Sequence, residues 1–358
     1  MEFRLLGDTG VRVSIYSLGS AMFGPWGNSD ERECTNIIHR ALDAGINLID
    51  TADVYSDGQA EEIIGRAIHP RRDEVIVATK VHAPMGAGPN DRGNSRLWIM
   101  RAVEASLRRL ATDHIDLYQV HRPQPETAID ETLQALSDLI TQGKVRYIGS
   151  STFQAWQQVE AQAASRNLRC ARFICEQPPY SILARSIERD VLPVAERYRL
   201  GVIVWSPLAG GWLAGKYGHG KAPPPESRAA RFREYRSRGG RMDERYQLSN
   251  RANQDKFRIV DNLADLAAQA GLPLLGMALA FTLSHPAVTS SIIGPRTQDQ
   301  LDLILAQADT RLDEATLDSI DELMPPGTVI NPADLGWDLP WMAASSRRRV
   351  DLQGGRHD

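Results

Sequence analysis

Four polar residues of the sequence, Asp50, Tyr55, Lys80 and His121, follow or end apolar runs that have the composition of buried strands. Their side chains are a carboxyl, a phenol, an ammonium and an imidazole, which are groups that exchange protons with a substrate. Each one alone has an ordinary explanation: Asp50 could cap a helix, and His121 could be a structural histidine. Together they are hard to explain by packing, because burying an acid and a lysine costs free energy unless the two are paired. We therefore expect them to share one site.

The elements that must position these residues are eight short apolar runs that alternate with amphipathic segments. The first run ends at residues 17–20, and the others cover residues 46–50, 75–80, 115–119, 145–149, 172–175, 202–205 and 289–293. Eight alternating strand and helix patterns predict a (β/α)8 TIM barrel of one domain. A doubly wound sheet is the alternative, but the first strand–helix turn, GSAMFG at residues 19–24, lacks the pattern G-x-G-x-x-G. In a barrel the active site lies at the C-terminal ends of the strands, where the four polar residues stand.

Three segments lie outside this alternation. Residues 3–6 and 11–15 predict an N-terminal β-hairpin around the turn at residues 7–10. A long loop at about residues 207–253, between strands seven and eight, contains three consecutive prolines and an arginine-rich part at residues 228–251. We expect the barrel to span residues 1–330 and a C-terminal tail to span residues 331–358, with its last residues mobile.

Composition excludes several classes of protein. The 358 residues are 42% hydrophobic and 24% charged, which suits a globular protein with a sizeable core. The formal net charge of −4 gives no basic excess for binding nucleic acid. Three cysteines fit neither a disulfide framework nor a metal site. The longest apolar stretch, residues 271–281, is shorter than the roughly 18 residues of a membrane span. We expect a soluble cytoplasmic protein with no metal, no nucleic-acid partner and no membrane partner.

Several motifs resemble those of the aldo-keto reductase superfamily and occur in the family's order. They are DTADVY at residues 50–55, ATK at residues 78–80, YQVHRP at residues 118–123 and GKVRYIG at residues 143–149. The resemblance extends from about residue 18 to about residue 332. It implies a (β/α)8 barrel that uses NADPH without a Rossmann fold, in agreement with the pattern of strands and helices.

The resemblance also implies roles for the four polar residues in reducing an aldehyde or a ketone to an alcohol. The nicotinamide would supply a hydride to carbon, and Tyr55 would supply a proton to oxygen. A phenol is a weak acid at neutral pH, but the nearby positive charge of Lys80 favours its loss of the proton, while Asp50 holds the lysine in place. His121 would donate to the carbonyl oxygen, or orient it, as negative charge develops there.

By the same resemblance, the cofactor would be held by Ser151, Thr152, Gln177, Trp205, Ser206, Pro207, Leu208, Gly211, Lys216, Gly294, Arg296 and Gln300. Ser151 and Gln177 would bind the nicotinamide carboxamide, and Trp205 would stack on the ring. Thr152 stands where the family usually has asparagine, and its hydroxyl can still form a hydrogen bond.

Residues 206–216 resemble the family's pyrophosphate-binding loop, and Arg296 would pair with the adenosine 2′-phosphate. Residues 210–216 also fit the P-loop pattern G-x-x-x-x-G-K. However, Tyr217 stands where a nucleoside triphosphatase needs Ser or Thr to bind magnesium. We further expect the arginine-rich residues 228–251 to become ordered when phosphates bind.

Substrate-facing positions are Phe23 and Trp26, with residues 85–94 and the tail's Trp337 and Trp341 beside them; ordinary packing explains these aromatic residues equally well. The main functional hypothesis is an NADPH-dependent reductase of a small carbonyl compound. The alternative is a cofactor-binding regulatory subunit, because the family includes potassium-channel β subunits. The residues fix neither the identity of the substrate nor the oligomeric state, since loop shape sets specificity in a barrel.

Overall fold

Eight parallel strands form a closed barrel in this computed structural model, which describes residues 1–217, 224, 227, 229–230, 244–247 and 249–348. The barrel strands are β3 (Tyr16–Gly19), β4 (Leu48–Asp50), β5 (Ile76–Val81), β6 (Ile115–Val120), β7 (Val145–Ser151), β8 (Phe173–Gln177), β9 (Gly201–Val204) and β10 (Ser290–Ile293). They follow one another around the barrel in chain order, and β10 pairs with both β9 and β3. The predicted (β/α)8 barrel is confirmed.

Helices surround the strands. They are α1 (Glu31–Asp43), α2 (Gln59–Ile68), α3 (Arg96–Leu110), α4 (Ile129–Thr141), α5 (Ala155–Leu168), α6 (Val191–Tyr198), α7 (Arg251–Gln269), α8 (Leu274–Ser284), α9 (Gln298–Leu305), α10 (Glu314–Leu323) and the short α11 (Ala344–Arg347). Their starts follow from local chemistry: the Asp30 carboxylate accepts from two backbone N–H groups of α1, and the Ser95 hydroxyl accepts from the first turn of α3. Apolar stripes on these helices pack against the outside of the barrel in the main hydrophobic core.

The N-terminal hairpin closes the opposite end of the barrel from the strand C-termini. Its strands β1 (Phe3–Leu5) and β2 (Arg12–Ser14) pair antiparallel, as the sequence predicts. Leu6 and Val13 are buried with side chains from inside the barrel, among them Leu48 and Leu117. The hairpin therefore closes the end of the barrel at which the strands begin. The open end is the one at which the strands finish, and we call it the upper end.

The described end of the loop between β9 and β10 and the start of the tail both reach Trp205 at that end, through Arg245 and Gly336. Much of the arginine-rich part, together with residues 349–358, lies outside the described residues, and so does most of the predicted phosphate-ordered segment. Among the described helices, none has by itself the length and apolar composition of a membrane span; α7 and α8 reach that criterion only when counted together across a 92° bend.

Candidate functional site

Lys80 and Asp50 form a buried ion pair at the ends of neighbouring strands. In the register of β4 and β5, Asp50 pairs with Ala78, so Lys80 extends beyond it on the same side of the sheet. Lys80 Nζ lies 2.8 Å from both carboxylate oxygens of Asp50 and 2.7 Å from the backbone oxygen of Thr51. The two residues are 0% and 3% exposed. A charge so completely removed from water requires this close partner.

The ammonium of Lys80 also reaches Tyr55, with Nζ 3.4 Å from the phenol oxygen. Burial works to lower the pKa of Lys80, but attraction to Asp50 and then Tyr55 outweighs it and raises that pKa. Lys80 therefore stays charged at neutral pH and presents a positive charge to the hydroxyl of Tyr55.

Tyr55 is held by a short turn, Tyr55–Gly58, that follows β4. Ser56 has a left-handed backbone, with φ of 51°, and its hydroxyl donates to the backbone oxygen of Phe23 at 2.6 Å. The same hydroxyl accepts from the backbone N–H of Trp26 at 3.3 Å. The turn that carries Tyr55 is thus fixed to the loop after β3.

His121 completes the predicted group of four. Its ring meets the Tyr55 ring edge-on, with centroids 5.9 Å apart and planes at 80°. Burial, followed by the positive charges of Arg122 and Lys80, holds the pKa of His121 well below its usual range. The imidazole is therefore neutral at neutral pH and can act as a hydrogen-bond donor without carrying a charge. The structure brings Asp50, Tyr55, Lys80 and His121 together, as the sequence predicts.

Gln177 connects this group to the predicted carboxamide site. Its Nε2 donates to Asp50 Oδ1 at 2.7 Å and approaches Gln119 Oε1 at 3.5 Å, while no described residue donates to its own side-chain oxygen. Ser151 donates to the backbone oxygen of Gln177 at 2.9 Å, and Thr152 follows with φ of 63°. The buried residues Ser151, Thr152 and Gln177 therefore lie side by side at the ends of β7 and β8.

Arg122 and Glu176 lie next to these residues and have no role in the sequence analysis. Arg122 Nη1 donates to the backbone oxygen of His121 at 2.6 Å and to Thr152 Oγ1 at 3.0 Å. Glu176 is fully buried, accepts from Ser150 Oγ at 2.5 Å and from the Phe153 N–H at 3.0 Å, and burial raises its pKa to about 8. Arg122 belongs to the motif YQVHRP at residues 118–123. Its position directly after His121 is the sequence feature that could have indicated a place in the site.

The predicted phosphate residues lie at the ends of β9 and β10. Ser206, Pro207 and Leu208 lead into the turn Ala209–Ala214, where Gly210 and Gly211 have φ of 72° and 104°. A Cβ on Gly210 would lie 2.1 Å from the Tyr246 hydroxyl, so only glycine fits there. This turn therefore presents bare backbone at the rim of the barrel, with Lys216 just beyond it.

Two cations flank that turn. Burial, and then the positive charge of Arg296, lowers the pKa of Lys216, so the two side chains lie within electrostatic reach of each other. The Arg296 N–H donates to Gln300 Oε1 at 3.0 Å, Asn28 donates to the Arg296 backbone oxygen at 2.7 Å, and a Cβ on Gly294 would meet open space. Two neighbouring cations beside exposed backbone have the chemistry of an anion site.

The predicted substrate-facing residues separate into two kinds. Trp26 lies beside Tyr55, with ring centroids 6.2 Å apart, whereas Phe23 is completely buried in the main core. Trp337 meets His82 edge-on at 6.0 Å, and Trp341 meets Trp156 at 5.5 Å. Trp26 therefore lies beside Tyr55 at the candidate site, whereas Phe23 belongs to the hydrophobic core.

A second buried charged group lies behind the first and has no counterpart in the sequence analysis. Glu61 pairs with Arg109 at 2.7 Å and accepts from Thr79 Oγ1 at 2.5 Å. Asp53 is buried beside them, and neither of its side-chain oxygens has a side-chain hydrogen-bond partner among the described residues. Burial, followed by repulsion from Glu61, raises the pKa of Asp53 from 3.8 to about 8. Asp53 therefore exists mainly as a neutral carboxyl at pH 7.

The tail, α7 and the described end of the loop before α7 together build the wall behind Trp205. Asp334 of the tail is 2% exposed and lies between two buried cations, 3.1 Å from Arg245 Nε and 2.6 Å from Lys256 Nζ. The Arg245 guanidinium lies 5.9 Å from the centre of the Trp205 ring. A Cβ on Gly336 would lie 2.6 Å from Cη2 of Trp205. We call Asp334, Arg245 and Lys256 the tail clamp.

The tail clamp was not apparent in the sequence, because Asp334 lies far along the chain from Arg245 and Lys256. Asn331 strengthens the same contact: its Nδ2 donates to the Asn253 side chain at 2.9 Å and to the Glu244 backbone oxygen at 3.1 Å. The start of the tail is thus bound to the described end of the loop between β9 and β10.

The residues of the rim fit a nicotinamide dinucleotide. The unpartnered side-chain oxygen of Gln177 suits an amide N–H, the Trp205 ring offers an aromatic face, and the glycine turn with Lys216 and Arg296 suits phosphates.

Comparison with known proteins agrees with this geometry. The family model described as the aldo/keto reductase family matches residues 17–325. An uncharacterized oxidoreductase of Bacillus subtilis is 38% identical over 348 residues, which cover 94% of this chain and 100% of that protein. A probable voltage-gated potassium channel subunit beta of Arabidopsis thaliana is 36% identical, over 90% of this chain and 97% of its own length. The versiconal hemiacetal acetate reductase of Aspergillus parasiticus is 31% identical, over 92% of this chain and 98% of its own length.

The family match includes the strand ends that carry the ion pair, the phenol and the imidazole, as well as the glycine turn after β9. The closed barrel is consistent with the sequence similarity, which extends over most of the chain. The chain therefore belongs to the aldo/keto reductase family and is an oxidoreductase.

Proposed function

We propose that the protein reduces an aldehyde or a ketone to the alcohol, with NADPH as the hydride donor and Tyr55 as the proton donor. The observation that carries this proposal is the position of Lys80 Nζ, which lies 2.8 Å from both Asp50 oxygens and 3.4 Å from the Tyr55 oxygen. A buried ammonium that stays charged at neutral pH, placed beside a phenol, favours transfer of the phenolic proton to a substrate oxygen.

The chain's own residues divide the work. Tyr55 gives its proton to the carbonyl oxygen, and Lys80, held by Asp50, stabilises the negative charge left on the phenol oxygen. Neutral His121 donates a hydrogen bond to the same carbonyl oxygen as charge develops on it. In the reverse direction, the deprotonated Tyr55 acts as the base. The substrate enters beside Trp26, with Phe23 supporting the loop that carries it.

The cofactor, when bound, supplies the hydride. Ser151, Thr152 and Gln177 would hold its carboxamide, and Trp205 would face the nicotinamide ring. Residues 206–208, Gly211 and Lys216 would hold the pyrophosphate. The pair of Arg296 and Gln300, with Gly294 beside them, would hold the adenosine 2′-phosphate and so favour NADPH over NADH.

The test is oxidation of NADPH by the purified protein with a panel of aldehydes and ketones, both with and without a carboxylate. The reaction is monitored by the loss of NADPH absorbance and by analysis of the products. We expect each enzyme molecule to oxidise many molecules of NADPH, with one molecule of alcohol formed for each NADPH consumed. Absence of turnover with every compound, in protein that binds NADPH, would contradict the proposal.

A second candidate is a cofactor-binding regulatory subunit, favoured by the 36% identity to the probable potassium channel subunit beta of Arabidopsis thaliana. The same panel of carbonyl compounds distinguishes a regulatory subunit from a reductase. A regulatory subunit binds NADPH and oxidises no more than about one equivalent, whereas a reductase turns over repeatedly.

A further inference from the structure

We propose that Arg122 selects carbonyl substrates that carry a carboxylate. This inference rests on the proposed reductase function and goes beyond it, because it names the chemical class of the substrate. Arg122 lies at the end of β6, one residue after His121, and its side chain is only partly buried.

The hydrogen bonds of Arg122 leave one edge of its guanidinium open. Both bonds come from Nη1, to the backbone oxygen of His121 and to Thr152 Oγ1. Nε and Nη2 donate to no described residue. In arginine the N–H groups of Nε and Nη2 point to the same side, and this edge matches the two oxygens of one carboxylate. The bonds from Nη1 hold the plane in place, so the open edge is preorganised for a bidentate contact.

The charge of Arg122 is also left without a partner. No carboxylate of the described chain lies within ion-pair distance of it, whereas the other cation of the site, Lys80, is paired with Asp50. The acid that interacts electrostatically with Arg122 is Glu176, whose hydrogen bonds go to Ser150 and to the backbone. Because burial raises the pKa of Glu176 to about 8, this acid is largely protonated at neutral pH and does not neutralise the guanidinium. The site therefore retains a positive charge.

That positive charge lies close to the reacting groups. The guanidinium interacts electrostatically with Tyr55 and with Glu176, and its charge contributes to the low pKa values of His121 and His82. A carboxylate near the reacting carbonyl would neutralise this charge and fill the open edge in a partly desolvated site, where a charge-assisted pair is stronger than in water. A neutral substrate would neither neutralise the charge of Arg122 nor accept hydrogen bonds from both Nε and Nη2 as a carboxylate does.

The experiment compares each acid with its own methyl ester. The pairs are pyruvate, 4-oxobutanoate and 4-formylbenzoate with the corresponding methyl esters. The distance between the carbonyl and the carboxylate differs from one pair to the next, and within each pair the carbonyl is the same. We expect kcat/KM for the acid to exceed that of the ester by at least about 10-fold in one or more pairs, the scale of a charge-assisted bond. In Arg122→Gln the ratio of acid to ester should fall to near one, and Arg122→Lys should keep part of it. The control Arg66→Gln, on the outer helix α2, should keep the full ratio.

A binding measurement runs in parallel on the NADPH-loaded protein. Quenching of tryptophan fluorescence is titrated with benzoate and with benzamide, and benzoate should bind at least about 10-fold tighter to the unmodified protein but not to Arg122→Gln. Reduction of neutral carbonyls with no preference for acids would overturn the inference and leave the reductase proposal standing. An acid preference that survives in Arg122→Gln would overturn it as well.

Two further outcomes complete the test. Equal losses for acid and ester in Arg122→Gln, together with weaker NADPH binding, would assign Arg122 to the carboxamide side and overturn the inference. If no carbonyl is reduced but benzoate binding depends on Arg122, the anion site stands and the reductase proposal fails.

Discussion

At the scale of single residues, the proposed reaction depends on the hydroxyl of Tyr55, the one group by which tyrosine differs from phenylalanine. Tyr55→Phe should fold and bind NADPH, because the ring and its edge-on contact with His121 are retained. It should lose carbonyl reduction by about 10²–10⁴-fold, the usual contribution of a general acid. Stopped-flow measurement of the hydride step provides the check, with NADPH affinity measured by fluorescence as the control. A variant with nearly normal kcat would place the proton donor elsewhere.

In the proposed reaction, the positive charge of Lys80 promotes the transfer of that proton. Lys80→Met should reduce kcat by at least about 10²-fold and displace the pH–rate profile, since the charge that favours loss of the phenolic proton is gone. It also leaves Asp50 buried without its ion-pair partner, so circular dichroism and NADPH binding must show that the variant is folded. A pH–rate profile identical to that of the unmodified protein would reduce Lys80 to a structural role.

Asp53 gives a signed prediction about stability. An acid with a pKa near 4 in the unfolded chain and about 8 in the folded protein stabilises the fold below the lower value, and that stability is lost as pH rises through the higher one. Asp53→Asn cannot ionise, so it should gain stability relative to the unmodified protein between pH 4 and pH 8, by up to about 1.4 kcal/mol per pH unit. Urea unfolding at pH 5 and pH 8 measures this, and a difference that does not change with pH would mean that Asp53 is ionised in the folded state.

At the scale of the elements, the loops after β9 and β10 bring Lys216 and Arg296 together from two separate strands, and we propose that they bind phosphate there. Arg296 precedes α9, and its backbone is fixed by Gln300 and Asn28. Arg296→Ala should weaken NADPH binding by about 1–3 kcal/mol, the scale of a charge-assisted contact, and leave NADH binding nearly unchanged. Fluorescence titration with both dinucleotides decides the matter. Equal affinity of the unmodified protein for NADPH and NADH would remove the 2′-phosphate assignment.

The elements also show why the sequence predicted so much of this site. Barrel strands bring their C-terminal ends to one rim, so Asp50, Lys80 and His121 could be placed together from the positions of three apolar runs alone. The helix boundaries followed from local signals such as the Asp30 cap. These features depend on short-range patterns, which a single sequence contains.

Contacts between distant segments could not be predicted in this way. The tail clamp joins residues from three separate segments, and no local pattern marks Asp334 as the partner of Arg245. The open edge of Arg122 depends on side-chain rotamers at the rim, which strand periodicity does not specify. Likewise, Phe23 and Trp26 have similar positions in the sequence, but only Trp26 lies against Tyr55.

At the scale of the whole molecule, the tail clamp determines whether the upper end of the barrel is complete. Asp334→Ala leaves Arg245 and Lys256 buried without a counter-charge, which should destabilise the protein by about 3–5 kcal/mol or release the tail from Trp205. Thermal unfolding and tryptophan fluorescence report the two effects. Asp302→Ala is the matched control: Asp302 pairs with Arg40 at 2.9 Å, both side chains are more than 40% exposed, and the loss should stay within about 1 kcal/mol. Similar losses in the two variants would show that the clamp contributes no more than a surface pair.

The burial of the clamp has a further consequence for the response to ionic strength. At 1 M salt the Debye length is only about 3 Å, and ion pairs in contact with solvent are largely screened. Counter-ions cannot enter between side chains that are 2% exposed or less, so Asp334 keeps its hold on Arg245 and Lys256 where the exposed pair of Arg40 and Asp302 loosens. Concentrated salt should therefore weaken the binding of the phosphate-bearing cofactor at the exposed rim while the tail remains docked, so that cofactor release and tail release become separable events.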